Sequence, residues 1–236
     1  MVHLEKITEK NFYKVINMKL AQGQEKFVAS NIMSLAQAYL YYDFARPFVI
    51  MNDDKEIGFI MLDWDEEERT VGIWRFMIDK DYQKKGFGKE AMKAMIKYIK
   101  DTDKFDLIHL SYVPTNSVVR NLYYSLGFRE TGEVDGDEIV MIYPTTDNPK
   151  VGIKKAEEND LEEIMEFLES ELLNVETYRE KLKNNKVYKI TIMGNLIGLF
   201  DGINLYISPD NIKYYNEAIK KIKEKRIEFN ENNSDI

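Results

Sequence analysis

Val71-Gly72-Ile73-Trp74-Arg75-Phe76-Met77-Ile78 is an apolar run with strand character that ends in a polar link, Asp79 to Tyr82, and is followed by Gln83-Lys84-Lys85-Gly86-Phe87-Gly88. From Lys89 the pattern becomes helical. Met92, Met95, Ile96 and Ile99 fall at i, i+3, i+4 and i+7, and Lys89, Glu90, Lys93, Lys97 and Lys100 take the other face. Two glycines at a helix mouth let backbone N–H groups approach a ligand with no Cβ in the way. The unpaired N–H groups of a first turn and the positive end of the helix dipole favour an anion there. Val71–Lys100 is therefore a strand–glycine–helix unit suited to cradling a pyrophosphate. On G-x-G alone, a surface turn using glycine for positive φ looks the same.

Composition narrows what such a unit can serve. The chain has 236 residues, 44% hydrophobic and 31% charged, enough for one large domain or two modest ones with a proper core. No apolar run reaches membrane-spanning length and no basic-then-apolar leader is present, so a soluble, cytoplasmic protein is expected. The absence of cysteine excludes disulfides, thiolate metal sites and a cysteine nucleophile. His3 and His109 are the two imidazoles, too few for a histidine-based metal site, and no metal is expected. His109 lies in the apolar strand Leu107–Tyr112 and is expected to be a satisfied core histidine. A net charge of −8, divided evenly between 1–145 and the remainder, argues against nucleic acid and anionic membranes and suits cationic partners.

The chain before the central stretch opens with a strand at Val2–Ile7, then a helix around Asn11–Met18 with Thr8 as its N-cap. Ser30 caps a second helix whose face is expected to be Ile32, Leu35, Ala36, Tyr39 and Leu40. Phe48–Met51 and Ile57–Trp64 form a hairpin, and an acidic loop, Asp65 to Arg69, leads to Val71. Beyond the central helix, Leu107–Tyr112 is a strand and Asn116 begins a helix that stops at Gly127, a left-handed C-cap. Phe128–Val134 and Glu138–Tyr143 flank Asp135-Gly136, which signals a type I′ hairpin. Tyr143-Pro144-Thr145-Thr146-Asp147-Asn148-Pro149 has the composition of a linker. It divides a first domain at 1–145 from a smaller α/β domain at 150–236. There the pattern restarts: Val151–Leu161 can be laid over Val2–Phe12, and Ile197-Gly198-Leu199 over Ile57-Gly58-Phe59. The second copy has no counterpart of Gln83–Gly88. A degenerate repeat packing on the first domain, a lid over an acceptor groove and a homodimer surface are the roles open to it.

Three cofactor readings compete for Gly86–Ala91. A Walker loop, G-x-x-x-x-G-K-[ST], is absent. The dinucleotide fingerprint is met formally by Gly86, Gly88 and Ala91, but Asp79 to Lys85 separates strand from glycine and no acidic residue ends the strand at Tyr112. The third is acetyl-CoA. Gln83-Lys84-Lys85-Gly86-Phe87-Gly88 resembles the Gln/Arg-x-x-Gly-x-Gly/Ala motif of the GNAT superfamily of N-acetyltransferases. Asn116 with Leu122-Tyr123-Tyr124-Ser125-Leu126-Gly127-Phe128 resembles that superfamily's Asn…Leu-Tyr-x-x-x-Gly-Phe helix. The resemblance spans about 1–143. It implies an α/β fold with a mixed sheet whose central strands splay.

The resemblance also implies roles. Phe76, Met77 and Ile78 would meet the pantetheine arm of acetyl-CoA through the backbone. Gln83, Lys84, Lys85, Gly86, Phe87, Gly88 and Lys89 would hold its pyrophosphate. Asn116 would contact the cofactor, and Tyr123 would be the general acid that protonates the departing thiolate. Without cysteine, an acyl-enzyme on sulfur is impossible, so direct attack by an amine in a ternary complex is expected. An alkyl amine has a pKa of roughly 10, so its deprotonation needs help. Related polyamine enzymes often carry an acidic residue just before the position of Arg75, and here Trp74 stands there. The base stays open among Asp63, Glu133 and a water chain. Phe27–Tyr39, Arg75–Asp79 and Gly132–Glu138 are most similar to bacterial spermine/spermidine (diamine) acetyltransferases. That implies a polyamine acceptor bound by carboxylates; Asp43, Glu56, Asp63, Glu133, Asp135 and Glu138 lie near the acceptor elements, with Asp63, Glu133 and Asp135 as the candidates. An aminoglycoside or amino-acid amine, or a non-catalytic acyl-CoA or polyamine-binding regulator, are the alternatives.

Overall fold

The computed structural model describes residues 1–184, 186–225 and 227, and these divide into two compact units. The first comprises Met1–Asp65 and Thr70–Asp147. Its strands are β1 (Val2–Lys6), β2 (Ala45–Asn52), β3 (Lys55–Asp65), β4 (Thr70–Ile78), β5 (Leu107–Tyr112), β6 (Arg129–Asp135) and β7 (Glu138–Pro144). They form one sheet in the order β1-β2-β3-β4-β5-β7-β6. Neighbours are antiparallel except β4 and β5, which are parallel.

Helices α1 (Glu9–Asn17) and α2 (Asn31–Leu40) share a core with one face of this sheet, through Val15, Ala38, Val49, Phe59, Met61 and Met77. Helices α3 (Phe87–Thr102) and α4 (Ser117–Leu126) take the other, where Met92, Met95, Ile99 and Tyr123 meet Ile60, Leu62, Val71 and Ile108. Each large apolar side chain removed from water contributes about 1.5–3 kcal/mol, so both faces are firmly held.

The rotation of α2 departs from expectation. Ile32, Tyr39 and Leu40 are 60%, 80% and 70% exposed, and the residues buried are Asn31, Ser34 and Ala38. The reason is polar. Asn31 Nδ2 donates to the Val15 carbonyl at 2.8 Å, and Ser34 Oγ donates to the Ser30 carbonyl at 3.0 Å. Small and hydrogen-bonded residues at i, i+3 and i+7 let the helix lie close to its neighbours, at the expense of its larger apolar stripe. Two boundaries also differ. Tyr143 and Pro144 belong to β7, with the Tyr143 ring 5.3 Å from that of Phe128. The β6–β7 loop is Gly136-Asp137 with positive φ at Gly136 alone (62°), the pattern of a type II′ rather than a type I′ turn.

One irregularity shapes the sheet's centre. β4 pairs with β5 only at Thr70, Val71 and Gly72, opposite Leu107, Ile108 and His109. On the other side its register with β3 jumps from Arg75–Met61 to Ile73–Leu62, which makes Trp74 the extra residue of a β-bulge. Past Gly72 the two parallel strands therefore part, and the β4 edge from Ile73 to Ile78 has no strand partner on the β5 side.

The second unit comprises Glu66–Arg69 and the described residues from Asn148 on. Its elements are β8 (Gly152–Lys155), α5 (Leu161–Ser170), α6 (Val175–Lys183), β9 (Tyr188–Ile192), β10 (Asn195–Phe200), β11 (Leu205–Ile207) and α7 (Tyr215–Glu224), in a sheet ordered β11-β10-β9-β8. Strand, two helices, three strands and a helix is also the order from β1 to α3. Details coincide too. Gly58 lies opposite Ile78 and Gly198 opposite Ile207. A Cβ on Gly58 would stand 2.5 Å from the Met77 carbonyl oxygen, and one on Gly198 would overlap that of Tyr206. Asp79 N–H donates to the Ile57 carbonyl at 2.9 Å, and Ser208 N–H to the Ile197 carbonyl at 2.8 Å. Thr8 N–H is capped by Asn11 Oδ1 at 2.8 Å, and Glu157 N–H by Asp160 Oδ2 at 2.7 Å. In place of the Gln83–Gly86 loop, the second unit runs from Ser208 through a 3-10 turn, Pro209–Tyr214, into α7.

Among the described residues, no helix is long and apolar enough to cross a membrane, and no group of three or more His, Cys, Asp or Glu is arranged to hold a metal ion.

Candidate active site

The loop ahead of α3 is strained where an anion cradle needs it. Gly86, the N-cap, has φ 84°, and Lys84 has φ 60°, a left-handed backbone that costs a residue with a side chain about 1–2 kcal/mol. Alternating handedness of this kind turns successive N–H groups toward one concavity. The helix offers no i−4 carbonyl to the N–H groups of Phe87 and Gly88. A Cβ on Gly86 would meet nothing within 4 Å, so the space beside it is open. Gln83 Nε2 anchors the loop by donating to the Ile78 carbonyl at 2.9 Å and to Gln24 Oε1 at 2.8 Å. Lys85 Nζ donates to the Asp81 carbonyl at 2.6 Å and lies over the Tyr82 ring. The Phe87 ring packs edge-on against Tyr82. Lys84 and Lys89 are exposed.

Beyond the loop, the gap between the splayed strands is a cavity of about 330 Å³, lined by Ile73–Phe76, Ser111–Val113, Asn116, Tyr123, Asp135 and Glu138 among others. Met77 and Ile78 bury their side chains in the two cores, so what they can offer a ligand is backbone. Asn116 is the N-cap of α4 but makes no side-chain cap bond. Tyr123 is 6% exposed and packs on Phe128. Burial first, and the Glu138 carboxylate second, push its phenol well above the usual value of 10, so the hydroxyl keeps its proton. Glu138 itself accepts a hydrogen bond from Ser111 Oγ. Arg75 donates to the Trp74 carbonyl at 2.7 Å and to Gln37 Oε1 at 3.4 Å. Its burial lowers its pKa, against the opposing pull of Glu138.

A second cavity, about 430 Å³, shares Ile73, Trp74, Ser111 and Asp135 with the first. Its further lining includes Gln37, Tyr41, Phe44, Asp63, Gly72 and His109. Three rings cluster there: Tyr41 lies 5.4 Å from Phe44 and 5.7 Å from Trp74, and Phe44 lies 6.3 Å from Trp74. Two carboxylates and an aromatic wall around one space suit a cation, because ring faces attract positive charge and a cleft concentrates the field of its carboxylates.

The structure thus brings Phe76, Asn116, Tyr123, Asp63 and Asp135 to two adjoining cavities. Glu133 is exposed on β6 and lines neither. His109, expected in the core, stands half-buried in the wall of the second cavity. Its signal was present in β5. His109 and Ser111 are polar residues at alternate positions between Ile108, Leu110 and Tyr112, which gives a central strand one polar face. Glu138, one of the acidic residues expected near the acceptor groove, joins the first cavity through the hairpin turn.

A model of the acetyltransferase (GNAT) family matches residues 18–128. The chain is 30% identical over 150 residues to a probable spermine N(1)-acetyltransferase of Bacillus subtilis subsp. natto, an alignment covering 60% of this chain and 97% of that protein. The chain belongs to the GNAT family. It is an N-acetyltransferase. Among solved structures, a spermidine N-acetyltransferase from Vibrio cholerae in complex with CoA and spermine is similar with a TM-score of 0.50 and 18% identity, covering 61% of this chain and 95% of that one. An aminoglycoside acetyltransferase in complex with coenzyme A gives the same score, identity and coverage. At that identity both speak to the shared GNAT fold alone.

Proposed function

We propose that this GNAT enzyme transfers acetyl from acetyl-CoA to a primary amine of a polyamine by direct attack. The observation that carries the proposal is the adjacency of the two cavities. The slot beside Tyr123 shares Ile73, Trp74, Ser111 and Asp135 with a space walled by carboxylates and rings. An acceptor with several ammonium groups can leave one near Asp63 and the rings while presenting another, deprotonated, at the slot. The spermine acetyltransferase relative supports the same acceptor class.

The residues present fit acetyl-CoA. The β4 edge from Ile73 to Ile78 has no strand partner on the β5 side, which leaves room for a pantetheine arm, and the Lys84–Lys89 loop has first-turn N–H groups at Phe87 and Gly88, open space beside Gly86 and exposed lysines for a pyrophosphate. The amine nitrogen attacks the thioester carbonyl, the C–S bond breaks, and Tyr123 donates its proton to the thiolate. Residues 1–145 carry this chemistry in our reading. Residues 150–236 are a half-copy of it without a cradle, as the matching hydrogen bonds at Asp79 and Ser208 support.

The test is thiol release from acetyl-CoA with spermine, spermidine, an aminoglycoside and free amino acids as acceptors. Turnover is expected with the polyamines at the lowest KM. No turnover with any amine would overturn the proposal, and a preference for the aminoglycoside would replace the acceptor class.

A further inference from the structure

Three residues on neighbouring strands stand in one row at the last paired rung before the sheet splays. Asp63 on β3 is opposite Gly72 on β4, and Gly72 is opposite His109 on β5. Directly opposed residues share a face of a sheet. Here the middle one has no side chain, so the outer two lean over it. A Cβ placed on Gly72 would stand 2.9 Å from His109 Cε1, 3.2 Å from its Nε2 and 3.3 Å from the Asp63 Cβ. Glycine at this rung leaves open the space that the imidazole edge and the Asp63 Cβ border. Both line the cavity assigned above to the acceptor.

We propose that His109 is the base that takes the proton from the attacking amine, with Asp63 as the residue that positions it. The proposal rests on the acetyltransferase reading of the site. As the C–N bond forms, the amine nitrogen becomes acidic and its proton passes to the neutral imidazole, directly or through one water. The C–S bond then breaks, and Tyr123 supplies the thiol proton. Solvent returns the proton from His109 and reprotonates Tyr123, so one proton moves from amine to thiol overall.

The surroundings suit the role. Burial holds the imidazole below its ordinary value of 6.5, while the Asp63 charge pulls it back up. The ring is therefore neutral and able to accept a proton at neutral pH. Asp135 is the other charged group lining this cavity. Gly72 and Ile142, the rung neighbours on β4 and β7, bring no charge. Glu138 is the competing candidate, but its carboxylate already accepts from Ser111 and sits in the field of Arg75.

The experiment is a pH profile of kcat for spermine acetylation, on wild type, H109Q, D63N and E138Q, with acetyl-CoA KM and thermal unfolding measured alongside. Wild type is expected to lose activity as pH falls below 6.5, because a protonated imidazole cannot accept. H109Q should lose that limb and about 10²–10³-fold in kcat, within the usual range for a general base, with acetyl-CoA KM unchanged. D63N should move the limb to lower pH, since the charge that raises the imidazole is gone. As a check needing no variant, imidazole proton resonances of the two histidines should show His109 titrating at the pH of the kinetic limb. A limb that survives in H109Q, that vanishes in E138Q instead, or that departs from the His109 titration overturns the assignment. Absence of wild-type turnover removes the reading beneath it. Wild-type turnover with an unchanged H109Q profile removes His109 alone.

Discussion

Replacing Tyr123 with phenylalanine removes one oxygen from a side chain that is 6% exposed. The ring stays, and with it the contact to Phe128 at 5.8 Å. Fold stability should therefore change by no more than about 1 kcal/mol, the range of one net hydrogen bond. Catalysis should change far more. The phenol is held protonated by burial and by Glu138, so throughout the working pH range it has a proton to give. A positioned general acid is worth about 10²–10⁴-fold, which at 1.36 kcal/mol per decade is about 3–5 kcal/mol of transition-state stabilisation. The assay pairs steady-state thiol release with calorimetric binding of acetyl-CoA. The expected result is a kcat lowered at least a hundredfold, with acetyl-CoA affinity within about threefold of wild type. The raised phenol also means that wild type shows no alkaline loss of activity near pH 10 from this group. A variant retaining more than a third of wild-type kcat would refute the assignment. Loss of acetyl-CoA binding in proportion to kcat would make Tyr123 a packing residue of the slot.

Two other perturbations separate the cradle from the scaffold. Gly86→Ala adds a methyl group that meets no neighbour, but at φ 84° it imposes about 1–2 kcal/mol of backbone strain. Acetyl-CoA KM should rise about tenfold or more with the acceptor's KM unchanged, and equal shifts in both would count against the cradle. Lys189→Met removes a 5% exposed ammonium paired with Glu68, Asp160 and Glu163 and leaves their charges without it. Breaking a buried pair costs about 3–5 kcal/mol, and the 42% exposure of Glu163 places this case at the lower end. Thermal unfolding should record it, and an unchanged midpoint would show that the cluster contributes no net stability.

Much of this was legible in local sequence because local physics fixes it. The periodicity of Met92–Ile99, the stop at Gly127 and the Ser30 cap depend on residues within a turn or two of each other. The rotation of α2 does not. It is decided by an amide at Asn31 reaching a carbonyl 16 residues away, and an apolar stripe read from one helix cannot weigh that bond. Glu133 and Glu138 differ in the same way. Both flank one hairpin and both are acidic, and only the turn geometry and the β6–β7 register send Glu138 into the slot and leave Glu133 in solvent.

By itself the sequence determined the strand, the glycine loop and the helix of Val71–Lys100, the tyrosine helix that follows them, and the lack of cysteine that forbids an acyl-thiol route. Each is a property of residue type and short spacing. Tertiary structure decided which polar groups share the proposed acceptor cavity. Asp63, Gly72 and His109 are scattered along the chain, and nothing in their spacing links them. A β-bulge at Trp74, a parallel pairing that ends at Gly72 and the missing side chain of that glycine bring a carboxylate and an imidazole to one rung. Strand register, which no local pattern encodes, is the physical reason.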